Sequence, residues 1–534
     1  MPAIQSKLDP ASATFLANRA RMLELVSRLR SLEKRTRDKS EAAKPLFDKR
    51  GQLLPRERLA RLLDAGAPWL ELSSMAGYCL DNPDPEKTIP GGGMIAGIGY
   101  VAGVRAMVVA SDSGIDAGAI QHMGREKLLR AQGLALENRL PFVHLVESAG
   151  ANLLKYRVEG FVHGGAIFYN LAKLSAAGLP VVTVVHGSST AGGAYMPGLS
   201  DYVIMVRGRA KAFLAGPPLL KAATGEIATD EELGGAVMHT HVSGLGEYLA
   251  EDDSDGVRLA REVLSRLDIG NPQPRTSKPP RYAAEELLGV MPADYRKPVD
   301  MREAIARFVD DSDFLDFKAD YGMATVCGHA AVQGHKVGII TNNGPLDPAG
   351  ATKATHFIQA CCQSGLPILY LQNTTGYIVG KASEEAGMIK HGSKMIQAVS
   401  NATVPQLTLM CGASFGAGNY GMCGRGYNPR FLFSWPNAQT AVMGAEQAAL
   451  TMAIVMEGGM KRKGLDVDLG QIKKMKDSIV ENFESQQSAL VTSARMLDDG
   501  IIDPRDTRNV LGFVLSICSD QRTLNRMQFG VARP

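Results

Sequence analysis

A short stretch rich in glycine occurs twice in this chain, and this repetition constrains the fold more than any other feature of the sequence. The first copy reads Ser188-Ser189-Thr190-Ala191-Gly192-Gly193-Ala194-Tyr195, and the second reads Ala413-Ser414-Phe415-Gly416-Ala417-Gly418-Asn419-Tyr420. A shift of 225 residues places Gly192-Gly193 on Ala417-Gly418 and Tyr195 on Tyr420. In each copy an apolar run leads into the turn, which predicts a buried strand followed directly by the start of a helix.

Landmarks outside the stretch recur at nearly the same spacing. At offsets of 225 to 231 residues, Gly103 is answered by Gly334, Lys127 by Lys353, Leu140-Pro141 by Leu366-Pro367, Gly150 by Gly376, and Leu179-Pro180 by Val404-Pro405. An offset that drifts so little over so many landmarks predicts an internal duplication, with each copy forming a domain.

Within each copy, short apolar strands alternate with helical segments, which predicts a mostly parallel α/β fold. We expect hairpins at 94–110 and 325–340, strands at 140–146 and 180–186, and a helix at 166–177. Proline-rich residues after 270 cannot hold regular structure and predict a linker. The predicted limits are a helical arm with the start of the N-domain at 1–90, the N-domain at 91–270, the linker at 271–300 and the C-domain at 301–534.

Composition excludes several classes of function. The 534 residues are 45% apolar and 21% charged with a net charge of +3, which is typical of a globular protein and offers no support for nucleic acid as a partner. Seven cysteines, none spaced C-x-x-C, argue against a disulfide framework or structural zinc. We expect no metal in this chain. No signal peptide or membrane span is recognised, so we expect no membrane partner and a cytoplasmic location.

The Gly-rich turn suggests chemistry carried by the backbone. Amide groups at the start of a helix lack an internal acceptor, and they suit an anion or a developing oxyanion. Small residues also let a ligand carbonyl approach closely. We therefore predict Gly192, Gly193, Ala417 and Gly418 as catalytic residues. The alternative is that the glycines serve only tight packing of helix on strand.

Other catalytic motifs fit poorly. Gly412 to Gly416 matches the G-x-S-x-G elbow of α/β-hydrolases around Ser414, but the last histidine, His391, precedes this serine, whereas that fold requires the reverse order. Glu147 is not a convincing acid or base because Gln372 replaces it in the second copy. Gly97 to Ala102 matches a dinucleotide fingerprint only superficially, since a strand follows it.

Two further pairs of side chains have ordinary explanations. His239 and His241 are predicted to lie on one face of a strand rather than to bind a metal. Lys127 and Lys353 are expected to be exposed lysines on helices.

Several segments together resemble the carboxyltransferase subunit of biotin-dependent acyl-CoA carboxylases, from about residue 20 to the C-terminus. They are Leu54-Pro55-Arg56-Glu57-Arg58, Ser188 to Pro197, Phe213 to Pro218, Lys221 to Glu226, Pro292 to Pro298, Asn342-Asn343-Gly344, Phe415 to Gly424, and Trp435 to Ala438. The resemblance implies two tandem crotonase-like domains. It also implies that biotin is carried by a partner subunit, because no A-M-K-M attachment sequence or P-loop is present here.

Within that family the chain looks similar to subunits that act on 3-methyl-2-enoyl-CoA thioesters. Methylcrotonyl-type subunits typically read F-G-R-I-F-Y-N where this chain reads Gly164 to Asn170. Gly and Ala in place of Phe and Arg, at Gly164 and Ala166, would open volume for a longer acyl tail, which favours geranyl-CoA over methylcrotonyl-CoA. The family pattern implies that Ala149, Gly150, Gly164, Gly165 and Ala166 bind substrate. The alternative is that Gly164-Gly165 is only a flexible hinge.

The implied mechanism uses the two turns for two oxyanions. Carboxybiotin would release CO₂ and then accept a proton from the γ-methyl group of the thioester, and the resulting dienolate would attack CO₂. By resemblance, Gly192-Gly193 would serve the thioester oxygen and Ala417-Gly418 the biotin carbonyl. A biotin carboxylase partner would use ATP and bicarbonate, and a hexamer would form the site between protomers. Alternatives are a crotonase-type hydratase or isomerase, a decarboxylase subunit, and a non-catalytic scaffold.

Overall fold

The computed structural model describes residues 3–80, 82–148, 158–214, 216–267, 275–462 and 468–519. The chain divides into two compact units. The first-sheet unit consists chiefly of Ser31–Gln273, with the short segment Ala494–Met496. The second-sheet unit consists of Pro274–Ser493 and Leu497–Ser519, together with the chain up to Arg30.

The first-sheet unit is built on a mixed sheet whose centre is parallel. Its strands are β1 (Leu70–Glu71), β2 (Met94–Val101), β3 (Val104–Ser111), β4 (Phe142–Ser148), β5 (Val181–Thr190), β6 (Tyr202–Val206), β7 (Lys211–Phe213) and β8 (Tyr248–Ala250). They lie in the order β1-β2-β3-β4-β5-β6-β8, and β7 pairs with the end of β5. The hairpin β2–β3 is antiparallel, whereas β3 to β6 run parallel.

Helices cover both faces of this sheet, which is why its central strands are apolar along their whole length. The helices of the chain up to residue 267 are α1 (Ala13–Glu41), α2 (Lys44–Lys49), α3 (Pro55–Leu62), α4 (His122–Glu137), α5 (Val158–Gly164), α6 (Ala166–Ala176), α7 (Tyr195–Gly198), α8 (Pro217–Thr224), α9 (Asp230–Gly234), α10 (Ala236–Met238) and α11 (Asp253–Ser265). Val143 and Val182 point into a core shared with Leu62 of α3 and Val257 of α11. The alternate side chains of β4 and β5 point to the other face, where α4 packs on β2 and β3.

The second-sheet unit repeats this arrangement. Its strands are β9 (Leu315–Asp316), β10 (Thr325–Val332), β11 (His335–Asn342), β12 (Ile368–Thr374), β13 (Gln406–Phe415), β14 (Phe431–Ser434) and β15 (Gln439–Ala441). Their order is β9-β10-β11-β12-β13-β14, and β15 pairs with the end of β13. The first sheet therefore has one additional strand, β8, among the described residues.

The helices after residue 275 include two long ones that cover one face of the second sheet. They are α12 (Leu287–Val290), α13 (Arg302–Ile305), α14 (Pro348–Ser364), α15 (Lys381–Glu385), α16 (Met388–Ser400), α17 (Gly416–Gly421), α18 (Ala445–Arg462), α19 (Leu469–Glu484), α20 (Ala489–Ala494) and α21 (Thr507–Ser519). Phe357 of α14 and Met395 of α16 pack on Ile340 and Tyr370 of the sheet.

The duplication extends to details of strand pairing. Between β4 and β5 the register shifts after Val146, so that Ser148 faces Ser189. Between β12 and β13 it shifts after Gln372, so that Thr374 faces Ser414. Each central strand thus carries the same irregularity just before its Gly-rich turn.

An ion pair is duplicated as well. The guanidinium of Arg56 lies 2.9 Å from the carboxylate of Glu71 on β1, and Arg302 lies 2.6 Å from Asp316 on β9. Glu71 pairs in register with Gly97, and Asp316 with Gly328, which are 231 residues apart. Both copies therefore tie their edge strand to the chain before it with one Arg–carboxylate contact.

The structure confirms the predicted hairpins, the strands at 142–148 and 181–190, the helix at 166–176 and the mostly parallel sheets. One prediction is wrong. His239 and His241 lie in a π-helical turn, His239–Ser243, instead of a strand. The His239 ring lies 2.6 Å from the Ala212 carbonyl, so a local hydrogen bond competes with extended structure.

Two glycines of α4 provide a matched test of the packing in the first-sheet unit. A Cβ on Gly124 would lie 2.2 Å from the Gly92 carbonyl oxygen, whereas a Cβ on Gly133 meets no atom within 4 Å. We expect Gly124→Ala to destabilise the protein by about 1–3 kcal/mol. Gly133→Ala should stabilise it by up to about 1 kcal/mol, since alanine has the higher helix propensity. Urea unfolding followed by circular dichroism measures both, and shifts of equal sign would contradict this packing.

Candidate active site

The first Gly-rich turn joins β5 to a short helical segment. Ala191 immediately follows the strand with a φ of +53°, a left-handed conformation that is costly for alanine. Residues Ala191–Ala194 then form a 3₁₀ turn that continues into α7. Gly192 is exposed and Gly193 is buried. Because Gly192 lies in the first turn, its amide has no acceptor within the helix.

The second turn has the same layout. Gly416 follows β13 with a φ of +56° and occupies the position of Ala191. Ala417 is exposed and Gly418 is buried, as are their counterparts in the first turn. Tyr195 and Tyr420 are 49% and 51% exposed, so each turn also presents an aromatic ring at the surface. Two equivalent backbone sites therefore lie at the carboxyl ends of two central strands.

The two turns differ in what their glycines pack against. A Cβ on Gly192 would lie 3.6 Å from Phe168 and one on Gly193 would lie 3.4 Å from the Ser189 hydroxyl, so intrachain packing does not strictly demand either glycine. A Cβ on Gly418 would lie 2.9 Å from the Cα of Gly376. The packing explanation therefore accounts for Gly418 and leaves the space in front of Gly192 available to a ligand.

Ser414 does not have the surroundings of a nucleophile. It is fully buried, donates a hydrogen bond to Gln372 and accepts one from Asn419 at 2.7 Å. His391, the last histidine of the chain, has its ring 2.7 Å from the Thr352 hydroxyl. These contacts agree with the rejection of the hydrolase motif.

Glu147, at the end of β4, is held by donors from every side that the structure shows. Its carboxylate accepts hydrogen bonds from Arg58 at 2.6 Å, Ser113 at 2.8 Å and Gln52 at 3.1 Å. A Cβ on Gly187 would lie 2.6 Å from its side chain. A carboxylate paired in this way is an anchor for the end of β4 and β5 rather than a mobile acid or base.

Sequence reasoning did not find this network, which continues beyond Glu147. Arg58 also donates to Asp253 at 2.9 Å, and the other oxygen of Asp253 lies 2.8 Å from the ring of His186 on β5. Burial lowers the pKa of His186, which favours its neutral form. The signal available in the sequence was Arg58 itself, within the segment Leu54 to Arg58 that carried the family resemblance.

The predicted substrate-binding residues are only partly visible. Ala149 and Gly150 lie outside the described residues. Gly164 ends α5, Gly165 joins the two helices, and Ala166 begins α6. A Cβ on Gly164 would first meet Arg125, at 3.8 Å, so this position has room for a side chain.

Phe168 connects these helices to the first turn. Its ring lies 3.6 Å from the position of a Cβ on Gly192 and makes an edge contact with Tyr195, with centroids 5.8 Å apart. The structure therefore brings α6 next to the Gly192 amide, as expected if the residues before Phe168 bordered a bound acyl chain.

The expectation that Lys127 and Lys353 are exposed is wrong, because both are buried. Lys127 donates to the carbonyl oxygen of Met94 at 2.7 Å, and burial lowers its pKa to about 8. Burial also lowers the pKa of Lys353. Equivalent positions in the two copies thus share an interior role, since the ammonium group of Lys127 satisfies strand-end carbonyls.

Within the described ranges, no group of three or more His, Cys, Asp or Glu side chains is arranged to hold a metal ion. Of the helices described, none is long and apolar enough to cross a membrane. The site therefore consists of backbone amides, small residues and aromatic rings.

The chain belongs to the carboxyl transferase domain family, whose model matches residues 48–528. It is 47% identical to the probable biotin-dependent acyl-coenzyme A carboxylase beta2 subunit of Mycobacterium tuberculosis, over 91% of each chain. It is 43% identical to the probable mitochondrial methylcrotonoyl-CoA carboxylase beta chain of Drosophila melanogaster, over 99% of this chain and 95% of the other.

The structure is also similar to a solved one, the beta subunit of geranyl-CoA carboxylase from P. aeruginosa. The TM-score is 0.93 with 55% sequence identity, and the match covers 100% of both chains. These comparisons confirm the resemblance to carboxyltransferase subunits of biotin-dependent acyl-CoA carboxylases and the α/β class with two tandem crotonase-like domains. The chain is an acyl-CoA carboxyltransferase subunit.

Reciprocal substitutions test the strain at the two turns. Ala191→Gly should stabilise the protein by about 1 kcal/mol, because glycine adopts a positive φ without the steric cost that alanine bears. Gly416→Ala should destabilise it by at least as much, since the new Cβ would also lie 3.1 Å from the Val442 carbonyl oxygen. Thermal unfolding of both variants gives the measurement. Destabilisation by Ala191→Gly would show that the left-handed conformation is not a source of strain.

Proposed function

We propose that this subunit transfers a carboxyl group from biotin, carried by a partner subunit, to the γ-methyl carbon of a 3-methyl-2-enoyl-CoA, and that geranyl-CoA is the preferred substrate. The observation that carries the choice of geranyl-CoA is the full-length similarity to the geranyl-CoA carboxylase beta subunit. The room at Gly164 supports it, since a larger residue there would border the acyl tail.

The two turns fit the two oxygens that such a reaction must stabilise. When bound, biotin would supply the carboxyl group and the base. The exposed Ala417 and the adjacent Gly418 would donate their amides to the biotin carbonyl, and Gly192 and Gly193 to the thioester oxygen. Amides of this kind are already oriented before reaction, and removing one oxyanion donor typically costs about 3 kcal/mol of transition-state stabilisation.

Phe168 and the segment Gly164–Ala166 would border the acyl chain, with Ala149 and Gly150 nearby in the sequence. A geranyl chain is longer than a methylcrotonyl chain by a five-carbon isoprene unit. Burying such a unit contributes about 0.8 kcal/mol per methylene. An open wall at Gly164 therefore favours the longer substrate, and this wall is the basis of the selectivity.

The second candidate substrate is 3-methylcrotonyl-CoA. The biotin-dependent 3-methylcrotonyl-coenzyme A carboxylase beta1 subunit of Mycobacterium tuberculosis is 45% identical to this chain over 92% of its length. A hydratase of the crotonase type is less favoured, because Glu147 is held by Arg58 and Gln372 stands at its position in the second copy.

We further propose that the subunit works as a homo-oligomer, a hexamer, together with a biotin carboxylase and biotin carrier subunit that uses ATP and bicarbonate. Exposed apolar side chains on α18 support burial against another chain: Leu450, Ile454 and Val455 are 54%, 62% and 55% exposed. The first turn of one protomer would then face the second turn of another. We keep the predicted domain limits, 91–270 and 301–534, as part of this proposal.

A direct assay tests the substrate. The subunit is combined with its biotinylated partner, ATP, radiolabelled bicarbonate and either geranyl-CoA or 3-methylcrotonyl-CoA. We expect carboxygeranyl-CoA and ADP to form, with the higher kcat/KM for geranyl-CoA. Turnover of 3-methylcrotonyl-CoA alone would refute the choice of substrate, and turnover of neither would refute the proposed function.

Gly164→Phe tests the basis of the selectivity. The ring should occupy the space of the distal isoprene unit, whose burial is worth about 4 kcal/mol at 0.8 kcal/mol per methylene. We expect kcat/KM for geranyl-CoA to fall by about 100-fold or more, and that for 3-methylcrotonyl-CoA to change little.

Gly164→Ala is the matched control, since its Cβ makes only an ordinary contact with Arg125. It should leave the preference unchanged. If Gly164 served as a flexible hinge, both variants would lose activity toward both thioesters to a similar degree.

A further inference from the structure

A ring of buried hydrogen bonds encloses the helix of the second turn. Asn419 Nδ2 donates to the Ser414 hydroxyl at 2.7 Å, and Ser414 donates to Gln372 Oε1. Gln372 Nε2 in turn donates to the carbonyl oxygen of Met422 at 2.8 Å. Met422 is the residue that caps α17. The ring thus runs from the strand before α17 to the residue after it.

The ring holds the segment that carries the two amides. Ser414 precedes Ala417 by three residues, and Asn419 directly follows Gly418. Ser414 and Gln372 are both fully buried, so water does not compete for these bonds. Gly424 completes the enclosure, because a Cβ there would lie 2.0 Å from Asn419 Oδ1. The lack of a side chain at Gly424 therefore makes room for the Asn419 amide.

The first turn lacks this ring. Alanine stands at 194, the position of Asn419, and Glu147 stands at the position of Gln372. Ser189, the counterpart of Ser414, donates instead to the Gly193 carbonyl at 2.8 Å. The first turn is therefore anchored through the charged Glu147 network, whereas the second is anchored through neutral side chains alone.

We propose that Ser414 is a positioning residue: through Gln372 and Asn419 it fixes the orientation of the Ala417 and Gly418 amides. This inference rests on the proposed function, in which those amides bind the biotin carbonyl. Because stabilisation of an oxyanion depends on donors that are oriented in advance, a small displacement of this turn reduces turnover even though Ser414 touches no substrate.

The central variant is Ser414→Ala, which removes the hydroxyl and leaves Gln372 and Asn419 without their shared partner. Asn419→Ala opens the ring at a second member and introduces the residue found in the first turn. Thr341→Val is the matched control, since Thr341 is fully buried in the same sheet and donates one hydrogen bond, to the Leu371 carbonyl at 2.8 Å.

The first measurement is hydrogen–deuterium exchange of the full-length chain. In Ser414→Ala and Asn419→Ala we expect exchange of the peptide covering 415–423 to rise about tenfold. The peptide covering 188–198 should be unchanged. Thr341→Val, compared at a matched loss of melting temperature, should alter neither peptide. Equal exchange at 415–423 in all variants would overturn the proposal.

The second measurement separates positioning from general stability in the complex with the biotinylated partner. We expect kcat for carboxyl transfer to fall by about tenfold or more in both ring variants, with the Kd for the acyl-CoA within twofold of the unsubstituted protein. A kcat no lower than that of Thr341→Val would overturn the proposal. An unsubstituted complex without activity would refute the proposed function, and the exchange data would still decide whether Ser414 holds the turn.

Discussion

Each central strand of this protein must end in a residue with left-handed backbone, and the geometry of the candidate site depends on that constraint. Ala191 and Gly416 reverse the chain between a buried strand and the first turn of a helix. Without this reversal the amides that follow would be used in the strand or turned toward the core. Alanine pays a steric cost at this conformation and glycine does not, so the same backbone is maintained at different expense in the two copies.

The two copies keep their architecture while changing the chemistry that supports it. The sheet order, the register shift before the turn and the Arg–carboxylate pair on the edge strand are all repeated. The anchor of the turn is not repeated. Glu147 takes part in a charged network with Arg58 and Asp253, whereas Gln372 takes part in a neutral ring with Ser414. Such divergence is expected when two sites descend from one fold and then serve different ligands.

Much of the fold followed from local patterns. Alternation of apolar strands with helices and the constant offset between landmarks were sufficient for the hairpins, the parallel sheets and the duplication. Burial of Lys127 and Lys353 was not predictable, because a lysine on a helix is usually exposed, and only packing against the sheet shows that Lys127 satisfies the carbonyl of Met94. The helical turn at His239 was missed because a hydrogen bond to a distant strand residue, Ala212, helps to define it.

The sequence by itself determined that one α/β fold occurs twice and that a Gly-rich turn follows a central strand in each copy. The residues that carry the family resemblance were also visible there, since motifs are local in the chain. Only the tertiary structure decided which glycines are required by packing, that Glu147 is an anchor, and that Ser414 belongs to a ring around α17. These roles depend on contacts between residues 42 to 106 positions apart, such as Ser414 with Gln372 and Glu147 with Arg58, whose distances no local pattern encodes.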